Sequence, residues 1–556
     1  MATVAAPVSQ AAKAAPIANG QKRARQGGPP PKRQKTKKEK PVKEGSNQEV
    51  LVADVRELLA SLTVSSSTTA TDAVPTATPE DTRQDELPTK FTEIDVKIHQ
   101  LSSTGDGLGT SASSDQIYVV PFSVPGDTVK AKVITHFTKE HYSLADFVAV
   151  VEPSPLRDDT RIGCKYFAKC SGCQFQMLDY ADQLAHKKTI VEKAYKNFSQ
   201  LSPDVVPAVR DTMGSPLIYG YRTKLTPHFD GPPGHRSREN RRSQEKKMFE
   251  TTPDIGFQQK GLSKTIDIED CPIGTDAVRQ GMKRERKRVA AELGKYTRGA
   301  TILLRENTKR VAKAEVSADE PVPNPEEVVR VESDRHVDIK SCITDNNAVS
   351  TEYIDNFVFT NPAGAFFQNN NSILPSFTQY IRDHVMPPKG AAGQINHLID
   401  AYCGSGLFTI TLSALFKSSM GIDISGASTE YARKNATLNG IPDSQATFIA
   451  ADAPELFKSV QYPADETVVI IDPPRKGCDE SFLNQLMKFK PKRVVYVSCN
   501  VHTQARDVGV LVRGKEGVSY DIESLRGFDF FPQTSHVEGV AVLNRKDTGT
   551  VDTASS

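Results

Sequence analysis

HLIDAYCGSG, His397 to Gly406, has the composition of a buried strand that breaks into a glycine turn. Leu398, Ile399, Asp400, Ala401 and Tyr402 supply the strand, and an apolar stretch from Leu407 to Phe416 predicts the helix that follows. A strand, a two-glycine turn and a helix make the first unit of a doubly wound α/β domain, whose ligands lie at the carboxyl ends of its strands. Gly404 and Gly406 let the backbone approach such a ligand closely.

The downstream sequence repeats the theme. GIDIS, Gly421 to Ser425, is a short strand ending in Asp423, where such folds present a carboxylate to ribose hydroxyls. A strand from Ala446 to Ala450 leads to Asp452, and one from Val468 to Ile471 ends in Asp472, Pro473 and Pro474. There is no G-x-G-x-x-G, so a pyrophosphate cradle is not indicated. An adenosine-bearing ligand without a diphosphate fits better, and S-adenosylmethionine is the leading candidate. The next strand, Arg493 to Ser498, ends in Cys499 and Asn500, before a helix predicted from Val501 to Leu511. A cysteine before a helix N-terminus is expected to have a stabilised thiolate, with a pKa below the free value of about 8.5.

The set FFQNN (Phe366 to Asn370), DAYCGSGLFT, IDPPRKG, VYVSCN and SHVEGVAVL resembles the uracil carbon-5 RNA methyltransferases, most of all the eukaryotic, fungal-like tRNA branch. These enzymes make 5-methyluridine in tRNA and rRNA, and the resemblance runs from about residue 90 to 545. It implies an α/β fold: a Rossmann-like S-adenosylmethionine-dependent methyltransferase domain, preceded by an OB-like TRAM barrel and a central mixed α+β domain. By the same resemblance Cys499 is the nucleophile that adds to carbon-6 of the uracil, and Glu538 accepts the proton from carbon-5. His536 helps to orient the site, and Gln368, Tyr402, Asp423 and Asp472 surround S-adenosylmethionine, with Asp423 on the ribose and the Tyr402 ring against the sulfonium or adenine. The substrate implied is tRNA, at uridine 54 of the T-arm, or alternatively large-subunit rRNA.

The rest of the chain divides around this core. Residues 1–88 are rich in Ala, Pro, Lys, Ser and Thr and read as a disordered basic tail, with a helix from Val50 to Leu62 that would form only on binding. The block Lys22 to Lys40 is a nuclear signal or a nucleic-acid arm, and a mitochondrial presequence also stays open because no acidic residue precedes Glu39. Nucleus, cytoplasm and mitochondrion are therefore the expected locations. Residues 89–155 alternate as short strands with glycine turns, the pattern of a small barrel. Residues 156–356 form the central region, 357–545 the catalytic domain and 546–556 a polar tail.

The central region carries Cys164, Cys170, Cys173 and the distant Cys271. Eight cysteines without a secretory signal argue for metal or catalysis over disulfides, and the spacing suits iron–sulfur or zinc. The family resemblance points to a [4Fe-4S] cluster. Tyr221, Arg222 and Lys224, followed by the cationic loop GPPGHRSRENRRSQEKK, suit a looped RNA, with rings on bases and cations on phosphates. The arginine-rich helix from Asp276 to Leu293 reads equally as a phosphate contact or a surface helix. The formal charge of the 556 residues is only +2 but unevenly distributed, and no apolar run is long enough to span a bilayer, so a soluble chain away from membranes is expected; a monomer is the expected state. A non-catalytic RNA-folding factor and a nuclease are the competing classes. The first is opposed by the intact Cys499 and Glu538, and the second by the lack of a clustered Asp, Glu and His set outside the crevice.

Overall fold

The computed structural model describes residues 42–68, 87–112, 114–233, 247–315, 327–388, 394–451, 457 and 460–546. The basic block, most of the cationic loop, residues 316–326 and Asp452 lie outside the described residues.

Five strands, β1 (Glu93–Leu101), β2 (Gly107–Ser111), β3 (Ser114–Val120), β4 (Thr128–Phe137) and β5 (Tyr142–Glu152), close into a barrel in the order β1-β2-β3-β5-β4. Alternate residues point inward, so Val96, Ile98, Tyr118, Val120, Val129, Ala131 and Val133 fill one core. A second apolar set, Leu108, Ile117, Val119 and Tyr142, is covered by helix α1 (Asn47–Thr68) through Leu51, Val52, Val55 and Leu58.

That helix corrects the reading of residues 1–88 as a tail. Ser46 Oγ accepts from the Glu49 N–H at 3.3 Å and the Glu49 carboxylate accepts from the Gly45 N–H at 2.7 Å, which is the logic of a capping box. Apolar residues at helical spacing then complete the barrel's core, so the helix is part of the fold.

The central region holds two small four-stranded sheets around helix α3 (Asp276–Ala291). Val278, Met282 and Val289 of α3 pack on Leu225, Phe229, Ile268 and Leu304. A hairpin of Val349–Ile354 and Phe357–Pro362 leads into helix α4 (Leu374–His384).

The remaining strands are β6 (Arg210–Met213), β7 (His397–Ala401), β8 (Ser418–Asp423), β9 (Ala446–Ala450), β10 (Thr467–Ile471), β11 (Arg493–Ser498), β12 (Tyr520–Phe528) and β13 (Glu538–Arg545). They form one sheet in the order β9-β8-β7-β10-β11-β13-β12-β6. Strands β7 to β11 are parallel, and β13 runs antiparallel beside β11. Parallel strands covered on both faces read as continuous apolar runs, and the alternation here shows why. Ile399, Val469, Val494 and Leu543 face a layer of α2 (Tyr180–Phe198), α7 (Glu480–Phe489) and α8 (Val501–Arg513). Leu398, Val468, Val495 and Val542 face α4, α5 (Leu407–Leu412) and α6 (Gly426–Leu438). Among the described residues no helix is long and apolar enough to cross a membrane.

Inside α2, Lys187 is fully buried and paired with the equally buried Asp529. Its ammonium also donates to the carbonyls of Phe531 at 3.0 Å and His536 at 2.8 Å. One cation thus holds the loop that delivers Glu538. Lys187→Met leaves the Asp529 charge buried and unpaired, and is expected to lower the unfolding free energy by about 3 to 5 kcal/mol in urea titration. Lys187→Met combined with Asp529→Leu is expected to recover much of that loss.

Candidate active site

The strand order reverses between β7 and β10, which opens a crevice at the carboxyl ends of β7, β8, β10 and β11. The turn after β7 is held in the left-handed region at Tyr402 (φ 66°), Gly404 (φ 53°) and Gly406 (φ 94°). A Cβ built on Gly404 meets nothing within 4 Å, so the turn faces open space. The Gly404 N–H donates to Asp423 Oδ2 at 3.0 Å, and the Ser425 N–H to Asp423 Oδ1 at 2.8 Å, fixing the carboxylate across the turn. Asp400 is fully buried. Its Oδ2 accepts from the Thr409 N–H at 2.9 Å and hydroxyl at 2.7 Å, while its Oδ1 is buried without a partner. Burial raises Asp400 to about 7. Asp472, at the end of β10, is likewise raised to about 7, by burial first and then by the Asp400 charge.

A crevice with an orphaned carboxylate oxygen and two acids reluctant to ionise lacks a positive charge. S-adenosylmethionine carries a sulfonium and an ammonium, so the residues present fit that donor. Asp400 was missed in the sequence because an aspartate inside an apolar strand gives no local sign of an unpaired oxygen. Ile424, 71% exposed beside Asp423, is a further apolar surface at this edge. Gln368 is buried in the loop before α4. The Tyr402 ring is partly spoken for, because it packs on Phe482 at 5.3 Å and its hydroxyl bonds Cys478.

Cys499, half-buried, follows β11, and Glu538, buried, opens β13. The register pairs Ser498 with Gly539, so the antiparallel neighbours bring the thiol and the carboxyl together. The expected low thiol pKa is not found. Burial, then the Glu538 and Asp472 charges, push Cys499 up to about 12, against the smaller opposite pull of Arg475. Burial and Asp472 also raise Glu538 well above the carboxylate range, again opposed by Arg475. The helix end is outweighed first by burial of the sulfur and then by the two carboxyl charges.

Arg475, within the DPPRKG motif, is a second residue to which sequence reading assigned no role. Its guanidinium pulls the Cys499 thiol down, against the larger upward effect of burial and the carboxyl groups. Its carbonyl accepts from Asn500 Nδ2 at 2.9 Å and from the Thr503 hydroxyl at 3.2 Å, which ties the motif to the start of α8. Cys499, Arg475, His502 and His536 line a pocket of about 220 Å³. Burial first, and then Arg475, Lys187 and Arg222, push the His536 imidazole down to about 4, so it is neutral near pH 7.

Other expectations divide. Arg222 lies over the Phe531 ring at 5.7 Å, near the site. Tyr221 is buried with its hydroxyl donated to the Pro532 carbonyl at 3.1 Å, so it cannot stack on a base. Lys224 donates to the carbonyls of Gly364 and Ala365, anchoring the loop that leads to Gln368. Arg279 and Arg286 of α3 pair with Asp270 and Asp267, and Arg288 with Glu285 and Glu292. Those three guanidinium groups already have protein partners.

Cys164, Cys170, Cys173 and Cys271 do converge, since Cys164 raises the proton affinity of Cys170, both raise that of Cys173, and all three raise that of Cys271. Burial first, and then the other thiols, push Cys173 and Cys271 up to about 12. Yet among the described residues no three His, Cys, Asp or Glu side chains form a group that could hold a metal ion. The [4Fe-4S] expectation is not supported by this arrangement, in which the thiols gather but do not present a formed ligand set.

The family model described as tRNA (Uracil-5-)-methyltransferase matches residues 339–546. The tRNA (uracil(54)-C(5))-methyltransferase of Schizosaccharomyces pombe is 44% identical over 514 residues, 92% of this chain and 86% of that relative. The Saccharomyces cerevisiae protein of the same name is 40% identical over 81% of this chain and 73% of its own length. The solved structure of Pyrococcus abyssi tRNA (uracil-54, C5)-methyltransferase with S-adenosyl-L-homocysteine matches 81% of this chain and 100% of that one, at a TM-score of 0.55 and 24% identity, a likeness of fold. With its crevice, its Cys499–Glu538 pair and relatives matched along most of their length, the chain belongs to the tRNA (uracil-5-)-methyltransferase family.

Proposed function

We infer that this protein transfers a methyl group from S-adenosylmethionine to carbon-5 of a uridine in tRNA, at position 54 by the names of its fungal relatives. The observation that carries the reading is the meeting of Cys499, Glu538, Asp472 and Arg475 at the strand ends. S-adenosylmethionine supplies an electrophilic methyl on sulfur, and Asp400, Asp423, Asp472, Gln368 and the free face of Tyr402 would hold it.

The chain's own groups then do the following. Carbon-5 of uracil is a weak nucleophile, so the Cys499 thiol first gives its proton to solvent, and the thiolate adds to carbon-6 and pushes the pair of the carbon-5 to carbon-6 double bond toward carbon-5 and the carbon-4 oxygen. Carbon-5 takes the methyl, leaving a saturated adduct with a proton on that carbon. Glu538 removes this proton, the carbon-5 to carbon-6 double bond re-forms, and the Cys499 sulfur leaves with its bonding pair. Glu538 acts as base only in its ionised form, which Arg475 and a cationic methyl donor favour, and an ionised carboxylate with a raised proton affinity is a stronger base than an ordinary one, which suits the removal of a carbon-bound proton. Arg475 offsets part of the negative charge around the thiolate. Neutral His536 lines the pocket without adding charge. The basic block Lys22 to Lys40 supports a nuclear address or an RNA arm.

In RNA with 5-fluorouridine at the target, the fluorine cannot leave as a proton, so a covalent complex with the wild-type protein is expected on a denaturing gel. Cys499→Ala should give none, and an undiminished complex would remove Cys499 from its role. Glu538→Gln should methylate and then stall, accumulating a covalent complex with ordinary uridine RNA.

The crevice carboxyls set a pH dependence. Asp400 and Asp472, raised to about 7, lower the stability of the ligand-free protein as pH rises from the ordinary value of 3.8 through about 7, because the folded state holds the protons more tightly. A sulfonium prefers them ionised. Calorimetric affinity for S-adenosylmethionine is expected to fall between about pH 8 and about pH 6, and to fall less for S-adenosylhomocysteine, which lacks the sulfonium charge. Equal slopes would contradict this electrostatic account. Mapping of 5-methyluridine in tRNA and rRNA from cells with and without the gene decides the substrate, and loss confined to rRNA would overturn the tRNA reading.

A further inference from the structure

The pocket that exposes Cys499 has a wall that comes from outside the catalytic sheet. Gly45, Asn47 and Val50, from the start of α1, line it together with Cys499 and Arg475. So do Ser103 and Thr104 from the turn between β1 and β2. The N-terminal segment is therefore brought to the chemistry by tertiary contacts, far from it in sequence.

The contacts that place it are specific. Asp54 of α1 is buried, and its carboxylate accepts from the Ser103 N–H at 2.6 Å and the Ser103 hydroxyl at 3.2 Å. Lys193 of α2 lies 3.5 Å from the same carboxylate. Glu44 meets Arg506 of α8 at 3.5 Å, and α8 is the helix that begins just after Cys499. The segment is thus fastened to the barrel, to the central helix and to the catalytic helix at once.

Its chemistry is that of a base reader. At about 220 Å³ the pocket is too small for paired RNA, so a single base must leave its stack to enter. A uracil edge presents one N–H donor flanked by carbonyl acceptors, and an asparagine amide offers both complements. Asn47 is exposed at this wall, and Ser103 and Thr104 beside it are uncharged polar residues. Phosphate recognition would call for cations, which this wall does not supply.

We propose that the segment Glu44–Val50 is a wall of the RNA pocket and that Asn47 is a specificity-determining residue, contacting the target uridine or the nucleotide next to it. The inference rests on the reading of this pocket as the uridine site. α1 then has two functions: it completes the barrel core with one face and reads RNA with its first turn.

Asn47→Asp tests it in the full-length protein. A carboxylate in the first turn of a helix suits the helix dipole, so the thermal unfolding midpoint should hold or rise slightly. The amide donor is lost and a negative charge faces RNA, so KM for tRNA should rise about tenfold, while KM for S-adenosylmethionine stays the same. Asn47→Ala should give a smaller rise of the same kind. An Asn47→Asp protein with unchanged KM for tRNA overturns the proposal, as does an equal rise in both KM values. The 5-fluorouridine adduct separates the two readings: if the wild type forms it and Asn47→Asp binds RNA normally, only the role of Asn47 fails. If the wild type forms no adduct, the uridine-site reading fails and takes this inference with it.

Discussion

Too many acids in too little water is the condition that organises this molecule. Asp400 and Asp472 stand at the carboxyl ends of β7 and β10, and Glu538 at the amino end of the antiparallel β13, on one edge of a sheet whose two faces are covered by helices. Each suffers the cost of burial, and Asp472 adds its charge to the burden of both Glu538 and Cys499. In such surroundings a carboxylate either keeps its proton or finds a cation. Arg475 is the cation that offsets Cys499 and Glu538, and a sulfonium donor would bring another.

The same condition changes how the cysteine is understood. A helix N-terminus after Cys499 and the Arg475 side chain favour a thiolate, yet burial and two carboxyl groups favour the thiol more strongly. The free protein therefore holds the Cys499 sulfur as a thiol. That guards a reactive sulfur until the pocket fills, since thiolate character controls both attack and unwanted oxidation. The buried Lys187 holds the loop of Asp529 to His536 from behind, just ahead of Glu538.

Outside the sheet, much of the positive charge is committed internally. Lys224 and the arginines of α3 hold protein groups, and Tyr221 serves packing. What reaches the pocket from the flanking modules is chiefly neutral and polar: Ser103, Thr104, Ser171, Gln174 and Asn47. The barrel and α1 contribute shape and hydrogen-bonding groups there, and the catalytic strands contribute the charge.

The sequence by itself determined the order and type of the core elements. Leu398 to Ala401, Val468 to Ile471 and Arg493 to Ser498 read as strands because parallel strands buried on both faces are predominantly apolar, and each is followed by the turn or polar residues that lead to the crevice. Cys499 and Glu538 were legible as a pair from their motifs. Only the tertiary structure decided which residues share an electrostatic environment. The unpaired oxygen of Asp400, the raised proton affinity of Cys499 and the part played by Arg475 depend on distances across the sheet, which local pattern does not encode. The same holds for the first turn of α1, misread as tail because its apolar face is meaningful only once the barrel stands opposite it. Energies of burial and charge are sums over neighbours in space, and neighbours in space are what folding supplies.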